Sequence, residues 1–188
     1  MNLPNILTVS RIFLTLVFAV FAQTPGLVAA GAAVGFFALA ALTDLADGYL
    51  ARKYGLVTTF GQIMDPVADK LLILTALFIF SFESIIPVWM AAVVASREIL
   101  VTVARIQALT TGKVLPAESA GKVKAALQMT AVTLALLYRL ASISESTKMF
   151  VSDNQVVLLF IINGVMLGAV LLTLWSGGVF FRNLFAKE

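Results

Sequence analysis

Cysteine and histidine are both absent from this 188-residue sequence. The absence of cysteine excludes disulfide bonds, thiolate metal ligands and a cysteine nucleophile, and the absence of histidine excludes imidazole ligands and a histidine base. Charged residues make up only 12% of the chain, and a net charge of +3 is too small to indicate a nucleic-acid partner. Any catalysis must therefore depend on carboxylates, basic side chains and bound ions.

Long apolar runs are what the sequence has in abundance. Hydrophobic residues make up 61% of it, well above the roughly 45–50% of a soluble domain. Apolar runs occur at residues 12–23, 27–51, 61–81, 86–109, 121–140 and 155–176, and crossing a bilayer takes about 20 residues. The sequence therefore predicts an all-α polytopic membrane protein, a single domain over residues 1–188, with six transmembrane helices.

A short amphipathic segment, residues 2–11, precedes the first apolar run. Pro4 can start a helix, and Asn5, Thr8 and Arg11 recur at steps of three, which places them on one polar face. This pattern predicts an N-terminal amphipathic helix that lies along the membrane interface before the chain turns inward. The alternative is that the segment is a polar cap on the first transmembrane helix.

Basic residues are distributed unevenly between the two ends of the predicted helices. If the N-terminus is cytoplasmic, only Arg139 and Lys148 fall outside. The positive-inside rule therefore predicts that both termini, and the junction between the second and third runs, face the cytoplasm. The basic residues at or near cytoplasmic ends are Arg11, Arg52, Lys53, Arg105, Lys113, Lys122, Lys124, Arg182 and Lys187.

Four aspartates lie at that junction, in segments otherwise apolar enough to span a membrane. Asp44 and Asp47 are three apart near the end of the second run, and Asp65 and Asp69 are four apart near the start of the third. On helices each pair shares a face, and a charge within a membrane segment indicates a function by default. Two such faces turned toward each other form a site of carboxylate oxygens, which suits Mg²⁺ or Mn²⁺ rather than zinc or copper.

The spacing of the whole segment is more specific than the four acids alone. From Asp44 to Asp69 it has the pattern Asp-x2-Asp-Gly-x2-Ala-Arg-x8-Gly-x3-Asp-x3-Asp. This pattern resembles the signature of the CDP-alcohol phosphotransferase family, with every position filled. The positions are Asp44, Asp47, Gly48, Ala51, Arg52, Gly61, Asp65 and Asp69.

The resemblance implies a metal-dependent enzyme that transfers a phosphatidyl group from CDP-diacylglycerol to an alcohol and releases CMP. It implies that Asp44, Asp47, Asp65 and Asp69 hold a pair of divalent ions, Mg²⁺ or Mn²⁺, and that Asp69 also takes the proton from the attacking hydroxyl. The family further suggests a homodimer. The nucleotide-binding residues that it implies are Asp47, Gly48, Ala51, Arg52 and Gly61.

A second group of charges lies on the fourth apolar run and after it. Arg97 and Arg105 are eight residues apart, about two helical turns, so they share roughly one side. Together with Lys122 and Lys124 they could bind a phosphate, arginine through its planar fork and lysine as a point charge. The alternative is that Arg97 pairs with an acid such as Glu98, and that the lysines serve only the positive-inside rule.

These secondary motifs narrow the resemblance. The chain resembles the branch of the family whose acceptor is glycerol 3-phosphate, and this resemblance extends over nearly the whole chain. The motifs that carry it are residues 65–70, 97–98, 105 and 121–124. The alternatives are other acceptors, namely phosphatidylglycerol for cardiolipin synthesis, serine or an inositol phosphate. A cation transporter is a more remote alternative, because the acids are confined to one helix pair and the sequence has no internal repeat.

Overall fold

A computed structural model describes residues 3–54, 59–110 and 119–185. Within these ranges it describes all side chains except those of residues 3–7, 44–63, 65–66, 69, 108–122 and 185. All of the regular structure in these ranges is α-helical, which confirms the all-α prediction. Six long helices coincide with the six apolar runs, and one short helix was not predicted. The helices are α1 (Leu3–Gln23), α2 (Leu27–Tyr54), α3 (Thr59–Phe82), α4 (Val88–Thr110), α5 (Ser119–Ile143), α6 (Lys148–Asp153) and α7 (Gln155–Phe185).

Two stretches among the described residues are long and apolar enough to cross a membrane. They are Val123–Ile143 in α5 and Gln155–Leu184 in α7, and only 28% of each apolar window is buried, unlike the core helix of a soluble protein. Shorter apolar stretches, Thr8–Gln23, Leu27–Thr43 and Lys70–Phe82, lie in α1, α2 and α3. The membrane character is thus supported, and the count of six spans stays a prediction.

The N-terminal part of the buried face of α1 is polar, and the exposed face of this helix is apolar. Thr8, Arg11 and Thr15 are each 1% exposed, and the Thr15 hydroxyl donates a hydrogen bond to the carbonyl oxygen of Arg11 at 2.9 Å. On the other side, Phe13 and Val20 are 65% and 64% exposed. A water-soluble helix has the opposite arrangement, so α1 is suited to lipid outside and polar contacts inside.

A separate interfacial helix at the N-terminus is not confirmed. The helix α1 runs without a break from Leu3 to Gln23, so the amphipathic segment and the first apolar run are one element. Pro4 does not interrupt it, because in the first turn a missing backbone N–H costs no helical hydrogen bond. This continuity favours the alternative, in which the segment is the polar beginning of the first long helix.

The chain forms two compact units, the first made of Met1–Ile79 with Leu136–Gln155 and the second of Phe80–Ala135 with Val156–Glu188. In the first, α1 packs against α2 through aromatic rings. The ring centroids of Phe18 and Phe37 are 5.6 Å apart, and those of Phe21 and Phe36 are 5.4 Å apart. Gly26, in the short connection between the two helices, has a φ of +107°, which glycine adopts without strain.

The connection between α5 and α7, also in the first unit, is more ordered than expected. The Ser-rich segment 141–154 lies between the fifth and sixth apolar runs, which predicts a loop, but α5 continues to Ile143 and α6 occupies Lys148–Asp153. The turn before α6 is closed by the Thr147 hydroxyl, which donates to the carbonyl oxygen of Ala141 at 2.7 Å. The Ser142 hydroxyl likewise donates to the carbonyl oxygen of Arg139 at 2.7 Å, so two hydroxyl side chains of the segment satisfy backbone carbonyl groups.

In the second unit α4 and α7 run parallel. Three contacts join α4, or the residues just before it, to α7. They advance in the same order along both segments, so the two helices run in the same direction. α5 packs against α7 as well, because the Gln128 side-chain amide donates to the Thr173 hydroxyl at 3.2 Å. The ordered contact pairs are Ile85 with Asn163, Arg97 with Ser176, and Arg105 with Phe180.

Candidate functional site

The acidic positions of α2 follow a stretch with one buried and one exposed side. Ala33, Phe37 and Ala40 are 0%, 4% and 0% exposed, and they recur at the steps of three and four that define one side of a helix. Leu39 and Leu42, on the opposite side, are 51% and 60% exposed. The positions Asp44, Asp47, Gly48 and Ala51 come next along α2.

The acidic positions of α3 lie beside a stretch of the same kind. Ala68, Leu72 and Ala76 are at most 2% exposed, whereas Val67 and Leu71 are 38% and 36% exposed. The acidic positions recur at a step of four, which places them on one side of the helix. These positions, with the glycine one turn earlier, are Gly61, Asp65 and Asp69, and all lie within α3.

The two acidic faces occupy adjoining helix ends. Only residues 55–58 separate α2 from α3, so the last residue of one and the first of the next are at most about 18 Å apart. The side chains of the four aspartates, and of Arg52, lie outside the described residues. Among the side chains that are described, no group of three or more acidic residues could hold a metal ion. The four-carboxylate donor set on α2 and α3 fits a hard divalent cation.

A buried ion-pair cluster lies in the second unit, centred on Glu98. This carboxylate is 4% exposed and accepts a hydrogen bond from the ammonium group of Lys124, which is 6% exposed. The same oxygen, Oε1, lies 3.4 Å from Nη1 of Arg97. Two of the four predicted phosphate-binding residues are therefore brought together, on a carboxylate shared between α4 and α5.

The pairing of Arg97 with Glu98, the alternative that the sequence left open, is thus present. It does not exhaust the donors of Arg97, because Nη2 also donates a hydrogen bond to the hydroxyl of Ser176 on α7 at 2.8 Å. The guanidinium group therefore connects α4 with α7, and through Glu98 it is linked to α5.

Arg105 lies on the same side of α4 as Arg97, as the eight-residue spacing predicts. Its Cζ lies 6.0 Å from the ring centroid of Phe180 on α7, within the range of a cation–π contact. Its Nε is buried and has no hydrogen-bond partner among the described residues. The side chain of Lys122, the remaining predicted member, lies outside the described residues.

The polar residues of α7 were not predicted from the sequence. Thr173 and Ser176 are both completely buried, and they meet Gln128 and Arg97 respectively. Their sequence signal was available, because two hydroxyl residues three apart in a 31-residue apolar helix mark a polar stripe. Nothing in the sequence alone indicated which helices that stripe contacts.

The chain resembles known proteins over most of its length. It matches the family described as CDP-alcohol phosphatidyltransferase over residues 1–175. It is 40% identical over 151 residues to the CDP-diacylglycerol–glycerol-3-phosphate 3-phosphatidyltransferase of Bacillus subtilis (strain 168). The aligned region covers 74% of this chain and 78% of that protein.

Further relatives have closely related names. A CDP-diacylglycerol–glycerol-3-phosphate 3-phosphatidyltransferase of Rickettsia felis (strain ATCC VR-1525 / URRWXCal2) is 38% identical over 137 residues, 72% of this chain and 75% of the relative. A probable phosphatidylglycerophosphate synthase of Mycobacterium tuberculosis (strain ATCC 25618 / H37Rv) is 40% identical over 139 residues, 72% of this chain and 66% of the relative. The family match extends through both the acidic helices and the buried ion-pair cluster, and the chain belongs to the CDP-alcohol phosphatidyltransferase family.

Proposed function

We propose that this protein transfers the phosphatidyl group of CDP-diacylglycerol to glycerol 3-phosphate, giving phosphatidylglycerol phosphate and CMP. The observation that carries the proposal is the 40% identity with the Bacillus subtilis relative, whose name states this donor and this acceptor. The activity is a step of phospholipid synthesis, which agrees with a chain that presents apolar side chains on the outer faces of its helices.

Asp44, Asp47, Asp65 and Asp69 hold the divalent cations in this proposal. The family generally depends on divalent cations, and a carboxylate set without histidine or cysteine suits Mg²⁺ or Mn²⁺. When bound, two such ions neutralise the diphosphate of CDP-diacylglycerol and stabilise CMP as the leaving group. The spacing of these positions supports the assignment, because it gives α2 and α3 two aspartates each on one helical side, and cations reduce the repulsion between like charges.

Asp69 serves as the general base. It accepts the proton of the attacking glycerol 3-phosphate hydroxyl, whose oxygen forms a bond to the phosphorus of the phosphatidyl group. The bond from that phosphorus to the CMP oxygen breaks, and its electron pair leaves with CMP. The carboxylate of Asp69 is thus protonated once per turnover and returns its proton to solvent.

The cytidine nucleotide is bound along the same helix pair. Small residues allow the nucleotide to approach the helix backbone closely, and an arginine at the end of α2 can form a charge-assisted contact with a phosphate. The residues assigned to this role are Asp47, Gly48, Ala51, Arg52 and Gly61.

The phosphate of the acceptor is bound by basic residues of α4 and α5. Arg105 has the strongest support, because its buried Nε has no acceptor among the described residues. Arg97 and Lys124 lie together at the carboxylate of Glu98, and a guanidinium has five N–H groups and an ammonium three with which to bind anions. The assigned residues are Arg97, Arg105, Lys122 and Lys124.

The protein works as an integral protein of a bacterial-type cell membrane, with six transmembrane helices and the acidic helix ends facing the cytoplasm. Nucleotides and sugar phosphates are available on that side, and the positive-inside rule supports this orientation. Assembly as a homodimer surrounded by membrane lipids completes the proposal.

Single cysteines test the orientation, because the chain has none of its own. An impermeant thiol reagent applied to intact cells should label Ser146→Cys but not Arg52→Cys, and both should react once the cells are opened. Labelling of position 52 in intact cells would reverse the proposed topology.

The acceptor is tested with purified protein, CDP-diacylglycerol, Mg²⁺ and a set of labelled acceptors. Glycerol 3-phosphate should be the substrate, whereas glycerol, serine, inositol phosphate and phosphatidylglycerol should give little product. Equal use of unphosphorylated glycerol would contradict the phosphate site, and preference for phosphatidylglycerol would assign the chain to cardiolipin synthesis. Cation flux without CMP release would instead indicate a transporter.

A further inference from the structure

The guanidinium group of Arg97 is held on two sides. Nη2 donates to the Ser176 hydroxyl at 2.8 Å, and Nη1 lies 3.4 Å from Oε1 of Glu98. Ser176 is itself completely buried. Its hydroxyl donates a hydrogen bond to the carbonyl oxygen of Thr173, one turn earlier in α7, at 3.3 Å. The direction of the Arg97 fork is therefore determined by α7 as well as by its own helix.

The next residue of α7, Gly177, leaves room for the stem of this arginine. A Cβ atom at position 177 would lie 3.2 Å from both Cγ and Nε of Arg97, closer than ordinary van der Waals contact. The side chain has little freedom to move away, because α4 fixes its backbone and Ser176 and Glu98 bind its far end. A methyl group at position 177 must therefore displace this stem by a few tenths of an ångström, and the guanidinium group at its end moves with it.

Gly178 provides a contrast within the same helix. A Cβ atom at position 178 would have nothing within 4 Å. Both glycines lie inside α7, so alanine at either position gains the same intrinsic helix propensity. Any difference between the two alanine variants therefore reports on the space around Arg97.

We infer that Ser176 and Gly177 are positioning residues for Arg97, and that they aim its guanidinium group at the phosphate of the acceptor. The inference rests on the proposed function, in which Arg97 binds that phosphate. Neither residue needs to touch a substrate. Their effect follows from the planar fork of arginine, which binds phosphate well only in a narrow range of orientations, and small misplacements of a binding group can cost up to about a hundredfold.

The main experiment compares Gly177→Ala with Gly178→Ala in steady-state assays that vary each substrate in turn. Gly177→Ala should raise the KM for glycerol 3-phosphate about tenfold, with the KM for CDP-diacylglycerol and kcat changed less than about twofold. Gly178→Ala should match the wild type in all three constants. A purely structural role for Gly177 would instead change both KM values and kcat together.

Ser176→Ala is the milder test, because it removes one hydrogen bond and introduces no steric clash. It should raise the KM for glycerol 3-phosphate about threefold. If thermal unfolding shows that Gly177→Ala does not fold, Ser176→Ala decides the question alone, and an unchanged KM would overturn the inference.

The Arg97→Ala background separates this inference from the function on which it rests. Once the arginine stem is gone, Gly177→Ala should have no additional effect on the KM for glycerol 3-phosphate, as expected for two changes that act on one interaction. If Arg97→Ala itself leaves that KM unchanged, the assignment of Arg97 to the acceptor is wrong. If Arg97→Ala raises it but Gly177→Ala and Gly178→Ala behave alike, only the positioning role is overturned.

Discussion

The acidic positions of α2 and α3 and the ion-pair cluster around Glu98 are organised in opposite ways. The acidic positions carry charges of one sign and lie close together in the sequence, at fixed helical spacing. The cluster contains charges of both signs and joins residues far apart, such as Arg97 and Ser176, which are 79 positions apart. In the proposed function the like charges of α2 and α3 depend on bound cations, whereas the cluster includes its own counter-charge, so that removing one member leaves a buried charge without its partner. Substitutions in the two regions should therefore fail differently.

The largest effect is expected in the acidic region. Asp69→Asn should lower turnover at least about a thousandfold, because it removes both a metal ligand and the proposed base, while thermal unfolding stays close to that of the wild type. CMP release at saturating CDP-diacylglycerol, over a titration of Mg²⁺, measures the loss.

Asp153→Asn is the control for this change, because Asp153 is exposed at the end of α6 and its loss should leave turnover unchanged. Substantial turnover by Asp69→Asn, or full wild-type activity in EDTA, would contradict the metal-dependent mechanism.

In the ion-pair cluster, the larger effect should be on stability. Glu98→Gln removes the carboxylate shared by Lys124 and Arg97, and breaking a buried ion pair costs about 3 kcal/mol of the free energy of unfolding. Chemical unfolding in one detergent measures it.

Glu145→Gln is matched in chemistry but exposed, and it should change the free energy of unfolding by less than about 0.5 kcal/mol. Equal free energies of unfolding for Glu98→Gln and Glu145→Gln would show that the ion-pair cluster does not stabilise the fold.

Arg105 should behave as a binding residue rather than a structural one, and its effect is smaller still. Arg105→Ala should raise the KM for glycerol 3-phosphate about ten- to a hundredfold, the equivalent of roughly 1.5–3 kcal/mol for a charged hydrogen bond. Phe180→Leu, which removes only the cation–π contact, should raise it about threefold.

Arg182→Ala is the matched control, because Arg182 is an exposed arginine in the last turn of α7. A rise in the KM for CDP-diacylglycerol in Arg105→Ala would assign this arginine to the nucleotide instead.

The helices could be predicted from the sequence because membrane-spanning segments depend on length and apolar composition. The run predicted at residues 27–51 became α2, Leu27–Tyr54, and the run at 155–176 became the first part of α7. Composition alone does not decide where one helix ends and the next begins. Thr8 and Arg11 were expected on a separate interfacial helix, which is not confirmed, because α1 is continuous and both side chains lie buried on it.

The candidate site was predictable to the extent that its spacing is local. Arg97 and Arg105 were placed on one side of a helix by their separation alone, and both contact α7. The pairing of Lys124 with Glu98 and the contact of Arg97 with Ser176 depend on how α4, α5 and α7 pack. No periodicity within a single helix contains that information, so the positioning residues emerged only from the three-dimensional structure.

The reversed polarity of α1 also has a consequence for how freely its sequence can vary. In the proposed membrane setting, lipid does not discriminate between apolar side chains, so Phe13, Leu16 and Val20 should exchange with one another at little cost, although each is large and exposed. Thr8 and Arg11 have no such freedom, because a buried polar group needs a partner of matching geometry. In a saturation scan of this helix, the tolerant positions would be the hydrophobic ones, and the sparse polar residues would define which fold the chain adopts.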